Sequence, residues 1–117
     1  MTKISAKTWL KDILRAIEKI ERHPQYDRGR VAYAEDEYFR DVVELNIERI
    51  CEAAKHLAEE HEYQEKYPSM PWRQIIGTRI VIAHHYWEIE EDIIWNIVEQ
   101  HLPDLKRNVI LWLTSEQ

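Results

Sequence analysis

Apolar residues recur at intervals of three and four through most of this chain. From about Ser5 to Arg22 the set Trp9, Leu10, Ile13, Leu14, Ile17 and Ile20 predicts a first helix with one buried face. His23-Pro24 ends it, because the residue before a proline is driven out of the helical region. The connection Gln25 to Arg30 is polar and holds one glycine, Gly29, which is too few for a phosphate-cradling loop. A second, longer helix is predicted from Val31 or Glu35 to Glu60, on Phe39, Val43, Asn46 or Ile47, Ile50, Ala54 and Leu57. Cys51, Ala53 and Ala54 are small, so another helix can approach closely there. His61 to Tyr67 has no period and reads as a loop.

Pro68-Ser69-Met70-Pro71-Trp72 reads as a turn feeding a third helix that begins on Trp72, Ile75, Ile76 and Arg79. Ile80-Val81-Ile82 is β-branched and also compatible with a strand, but a lone strand has no pairing partner in so helical a chain. A fourth helix is expected from Glu88 to Leu102 on Ile89, Ile93, Ile94, Ile97 and Val98, with acids in its first turn where the helix dipole favours them. Pro103 is expected to break it. Asp104 to Trp112 would then be a short fifth helix with a frayed tail after Leu113. These elements describe an all-α protein, a four- to five-helix up-down bundle in one domain over residues 1–117.

Composition supports that reading. The 117 residues include only two glycines, Gly29 and Gly77, fewer than sheets with their many turns require. Cys51 is the only cysteine, so no internal disulfide can form. Met1 to Leu10 lacks the apolar core of a signal peptide and no run approaches membrane-spanning length, which leads us to expect a cytoplasmic protein without a membrane segment. The net charge of −6 disfavours general nucleic-acid binding. Any action on RNA needs a local cluster of arginines, or an assembly that concentrates them.

One stretch concentrates candidate chemistry: Gly77-Thr78-Arg79-Ile80-Val81-Ile82-Ala83-His84-His85-Tyr86-Trp87. Arg79 can grip a phosphate with a two-pronged fork, His84 can move a proton near neutral pH, and Tyr86 offers a hydroxyl that can donate, accept or be modified. Taken singly, Arg79 reads as an ion-pair partner for one of the many acids, His84 as a surface or interface histidine, and Tyr86 and Trp87 as core or interface aromatics. His85, which points away from both neighbours, reads as structural or as a support behind the residues that act.

Several stretches together resemble one family. Asn46-Ile47-Glu48-Arg49-Ile50-Cys51-Glu52-Ala53-Ala54 is similar to a segment that ends in Gly-Glu-Ala. Pro68 to Gly77 is similar to the family's Pro-Trp entry into its motif helix. Arg79, His84 and Tyr86 match the RxxxxHxY signature, and Ile93-Ile94-Trp95 with Leu102-Pro103-Asp104-Leu105 matches the closing helix and its Leu-Pro exit. The chain resembles the HepT-like group of the HEPN superfamily, toxins paired with MntA-type minimal nucleotidyltransferases. It departs from that pattern at Cys51, where glycine is usual, and at Ile80, where many members carry asparagine.

The resemblance implies a metal-independent ribonuclease without a cofactor, homodimeric, with Arg79 and His84 lining a cleft between protomers. It further implies that a partner nucleotidyltransferase silences the toxin by transferring AMP onto Tyr86. Helix geometry is compatible with that scheme. At about 100 degrees per residue, Tyr86 falls nearly over Arg79 while His84 lies roughly 140 degrees away, so one straight helix cannot aim all three at one atom. Either the helix opens near Ala83 or the site is completed across a dimer axis; the second fits the reaction better, because two protomers supply two copies each of His84 and Arg79, enough for acid, base and charge clamp.

Two other readings remain. Glu52 and His56 lie one turn apart with His61 nearby, a partial metal set, but the Glu-x-x-His pattern of di-metal bundles does not recur on two helices. A noncatalytic helical module that partners a nucleotidyltransferase is the alternative to the nuclease, favoured by the acidic charge and by Ile80.

Overall fold

The computed structural model describes residues 3–84 and 87–116, without the side chains of residues 84 and 87–90. No strand occurs among the described residues. Helix α1 spans Ala6–Glu21 and starts where the Ser5 hydroxyl accepts the Thr8 N–H at 3.2 Å, satisfying a donor the helix itself cannot. Its Leu10, Ile13, Ala16, Ile17 and Ile20 are buried, as their spacing requires.

After a single 3-10 turn at Tyr26–Arg28, Gly29 takes a φ of 65°, a left-handed conformation that strains any other residue, and releases the chain into α2, Arg30–Glu35. Helix α3 follows over Glu37–Glu60. Of the two starts expected for the long helix, Val31 and Glu35, the later agrees with α3, and the earlier residues form a separate short helix. Asp36 divides them: its backbone is extended, and its carboxylate accepts the N–H groups of Tyr38 and Phe39 at 3.0 and 3.2 Å. A side chain able to bond the next turn's amides offers the backbone an alternative to continuing the helix.

Helices α1 and α3 run antiparallel. At one end the His61 Nε2–H donates to the Ile4 carbonyl at 2.8 Å and Lys3 donates to the Glu60 carbonyl at 2.7 Å. At the other, the His23 and Phe39 rings lie 4.7 Å apart. Phe39, Val43, Ile47, Ile50, Ala54 and Leu57 fill the space between. Asn46 is buried with them and is satisfied by its own helix, donating to the Val42 carbonyl at 2.8 Å.

The segment His61 to Tyr67, expected to be a loop, holds a four-residue helix α4, Tyr63–Lys66. Glu62 precedes it with a φ of 62°, in the position that usually carries glycine after a helix, so no residue type announced the turn. Tyr63 is buried at the centre of an aromatic group: Trp112 stands edge-on at 5.4 Å, and Tyr67 stacks on Trp112 at 4.5 Å. Trp72 stacks on Trp112 at 5.7 Å and donates its indole N–H to the Tyr67 carbonyl at 2.9 Å. Burial, and then the Glu116 carboxylate that accepts the hydroxyl at 2.5 Å, push the Tyr63 phenol above its ordinary value.

Helix α5, Trp72–His84, contains the β-branched run, so helix and not strand is right there. Helix α6, Trp87–Asn96, continues through a five-residue π turn, Ile97–His101, into α7, Leu102–Ser115. The break expected at Pro103 is absent. The wide turn comes first, and Pro103 falls in the first turn of α7, where its missing N–H leaves no bond unmade. Helix α7 also persists beyond Leu113, past the point of expected fraying. Trp95 fixes α6 to the α1–α3 connection, with its ring 5.9 Å from both Tyr33 and Phe39 and 6.2 Å from Tyr26. The expected all-α bundle is the fold: α3 packs against both α1 and α5, and α7 packs against α1.

Candidate functional site

Helix α5 is seated by Trp72, Thr78 and Ile82, all buried, and by a contact with α3 at the small residues. Thr78 is satisfied locally, donating to the Gln74 carbonyl at 2.9 Å. The Cys51 thiol, 2% exposed, donates to the Ile75 carbonyl at 3.0 Å. Burial pushes this thiol up to about 12, with the backbone N–H of Arg79 pulling the other way. Cys51 thus touches α5 one turn before the motif arginine and at its backbone.

Seating Thr78 and Ile82 inward turns Arg79 outward. Its side chain is 62% exposed and lies 3.8 Å from the Glu52 carboxylate, a loose pair in water of the kind worth about 1 kcal/mol or less. Arg79 also lines a surface cavity of about 500 Å³ between α1, α3 and α5. Helix α1 contributes Trp9, Asp12, Arg15, Ala16 and Lys19; helix α3 contributes Leu45, Glu48, Arg49 and Glu52.

Glu52 has a second partner. Its other carboxylate oxygen lies 3.0 Å from His56 Nε2, while Glu60 lies 2.5 Å from Nδ1. The imidazole stacks flat on the Trp9 indole, with centroids 4.2 Å apart and planes 5° from parallel. Burial opposes charging of His56, but its hydrogen bonds to the accepting carboxylates of Glu60 and Glu52 outweigh it and raise its pKa above the ordinary 6.5.

His84 ends α5, and its side chain lies outside the described residues; Tyr86 lies outside them altogether. Of the three expected site residues, Arg79 alone has a described side chain. Its pairing with an acid, the plainer expectation, is present in weak form. Glu52 and His56 are indeed neighbours, but as a hydrogen-bonded pair with Glu60. No group of three metal-ligating side chains forms among the described residues. Sequence reasoning did not single out Arg15, Lys19 and Arg49 beside Arg79. Their signal was available in the matched spacing 12, 15, 16, 19 on α1 and 45, 48, 49, 52 on α3, which places two stripes face to face once the helices are known to be antiparallel.

The profile of the family described as ribonuclease HepT-like matches residues 13–110. The chain belongs to that family. This HepT-like chain is 30% identical over 110 residues to "Putative RNase MJ1380" of Methanocaldococcus jannaschii, covering 93% of this chain and 97% of the relative. It is 28% identical over 107 residues to "Probable ribonuclease HepT" of Thermococcus cleftensis, covering 89% and 92%. No solved structure matches. The matched span includes α3, the whole of α5 and most of α7, so the RxxxxHxY stretch and all of the cavity lining except Trp9 and Asp12 fall inside it.

Proposed function

We propose that this HepT-like protein is a metal-independent endoribonuclease of the HEPN type, a single-domain cytoplasmic toxin that acts as a homodimer. The observation that carries the reading is Arg79: the first residue of the motif is exposed, loosely held and at the rim of a cavity with three further cations. Ile80 beside it is 62% exposed, an apolar surface that a second copy would cover.

In the proposed reaction His84 takes the proton from a ribose 2′-hydroxyl, whose oxygen attacks the adjacent phosphorus. The His84 of a second copy, in its protonated form, gives its proton to the departing 5′-oxygen, leaving a 2′,3′-cyclic phosphate and a free 5′-hydroxyl. The two copies of Arg79 neutralise the phosphorane. Silencing follows when an MntA-type nucleotidyltransferase partner lets the Tyr86 oxygen attack the α-phosphate of ATP, releasing pyrophosphate and leaving AMP on the phenol. The added anion then competes with RNA for Arg79.

The test is cleavage of labelled RNA in the presence of a chelator. His84→Ala should lose about 10² to 10⁴ of the rate, the usual worth of a general acid or base. Arg79→Ala should lose a comparable factor. Equal cutting by wild type and His84→Ala refutes the proposal. The second reading, a noncatalytic subunit of the same partner, is favoured by the net charge of −6 and predicts no cleavage by wild type.

A further inference from the structure

The cavity between α1, α3 and α5 is more than the surroundings of Arg79. On α1 the side chains 12, 15, 16 and 19, and on α3 the side chains 45, 48, 49 and 52, form two facing stripes with Ala16 buried as the floor. From Trp9 to Lys19 the groove follows α1 for about 15 Å at the helical rise per residue. Four cations line it, Arg15, Lys19, Arg49 and Arg79, in a chain whose net charge is −6. Arg15 and Lys19 make no ion pair among the described residues, Arg49 makes only a 3.4 Å hydrogen bond to Asn46, and Arg79 has only the loose contact to Glu52. Of the exposed cations elsewhere, Arg22, Arg28, Arg30 and Arg107 are tied to Glu18, Glu35, Asp92 and Asp104, while Lys7, Lys11, Lys55 and Arg73 make no ion pair among the described residues. What sets the groove apart is that four weakly committed cations line one cavity.

Three acids, Asp12, Glu48 and Glu52, line the same groove. They argue against a bare polyanion and against a duplex, whose base edges are turned inward. An unpaired strand presents both partners the lining asks for: phosphates for the guanidinium and ammonium groups, and base N–H donors for carboxylates that can only accept. The volume of about 500 Å³ suits a segment of strand rather than a helix of nucleic acid.

We propose that this groove is a binding subsite for single-stranded RNA flanking the cleaved phosphate, with Arg15, Lys19 and Arg49 holding backbone phosphates and Glu52 yielding Arg79 to the strand as it binds. The inference rests on the ribonuclease reading for its substrate class, but its test is separate. A short fluorescent single-stranded RNA is titrated by anisotropy against the full chain carrying His84→Ala, which keeps the RNA intact, across a range of salt. Adding Arg15→Gln and Lys19→Gln together should weaken binding about tenfold at low salt and flatten the slope of log affinity against log salt by about 1.4, from 0.7 for each lost phosphate contact. Arg107→Gln, on α7, should change neither. Both groove residues are exposed, so thermal melts of the variants should match the parent. Unchanged affinity and slope overturn the proposal, as does equal binding of duplex RNA. If otherwise wild-type protein binds through these residues yet cleaves nothing, the ribonuclease reading falls and the groove stands. If Arg15→Gln with Lys19→Gln leaves KM unchanged in a protein that does cleave, the groove falls and the ribonuclease reading stands.

Discussion

Cys51 gives direct access to the way α5 is held. It is the only cysteine, it is 2% exposed, and its thiol rests against the Ile75 carbonyl and the backbone N–H of Arg79. Alkylation needs the thiolate. Raising the pKa from the ordinary 9.0 to about 12 lowers the thiolate fraction at mildly alkaline pH about thousandfold, before any barrier to access is counted. The native protein should therefore react with iodoacetamide at least about a thousand times more slowly than the same protein in denaturant. The dependence on sub-denaturing urea then tells how α5 opens. A rate that rises gently with urea means a local lifting of α5 from α3, and a rate that follows the global unfolding curve means that α5 leaves only when the bundle does. A native rate within about tenfold of the denatured rate refutes the packing argument, since it requires a solvated, ionisable thiol at a place described as sealed.

Two further outcomes test other parts of the fold. Asp36→Ala removes the acceptor for the Tyr38 and Phe39 N–H groups and should cost about 1 kcal/mol, lowering Tm by about 4 °C in a calorimetric scan; an unchanged Tm means that α3 needs no cap. His56 has a raised pKa in the folded protein, so its contribution to stability is fully present below its ordinary 6.5 and is lost as pH rises through the higher native value. The stability gap between wild type and His56→Gln, measured by denaturant titration at several pH values, should therefore narrow toward alkaline pH, and a constant gap refutes the coupling to Glu52 and Glu60.

The helices were legible in the sequence wherever a stripe of aliphatic residues stayed in phase, as in α1 and α3, because burial of one face is a signal that needs no partner to be read. Boundaries set by single side chains were less so. Asp36 ends a helix by bonding the next turn, and Glu62 turns the chain in a conformation that glycine usually signals. Pro103 was misread because a proline can open a helix as readily as close one, and the π turn that precedes it leaves no compositional trace. At the site, Arg79 was found through a motif. The groove cations were not, since Arg15 and Lys19 on one helix and Arg49 on another look like ordinary solvated charges until the helices are set side by side.

The two fixtures around the motif, Cys51 against the Ile75 carbonyl and the Arg79 backbone on one side and Trp95 among Tyr26, Tyr33 and Phe39 on the other, make no use of the Arg79 side chain. Replacing that exposed side chain therefore leaves the frame standing. A copy altered only there is still a folded copy, so that loss of function and loss of the protein can be measured as separate events.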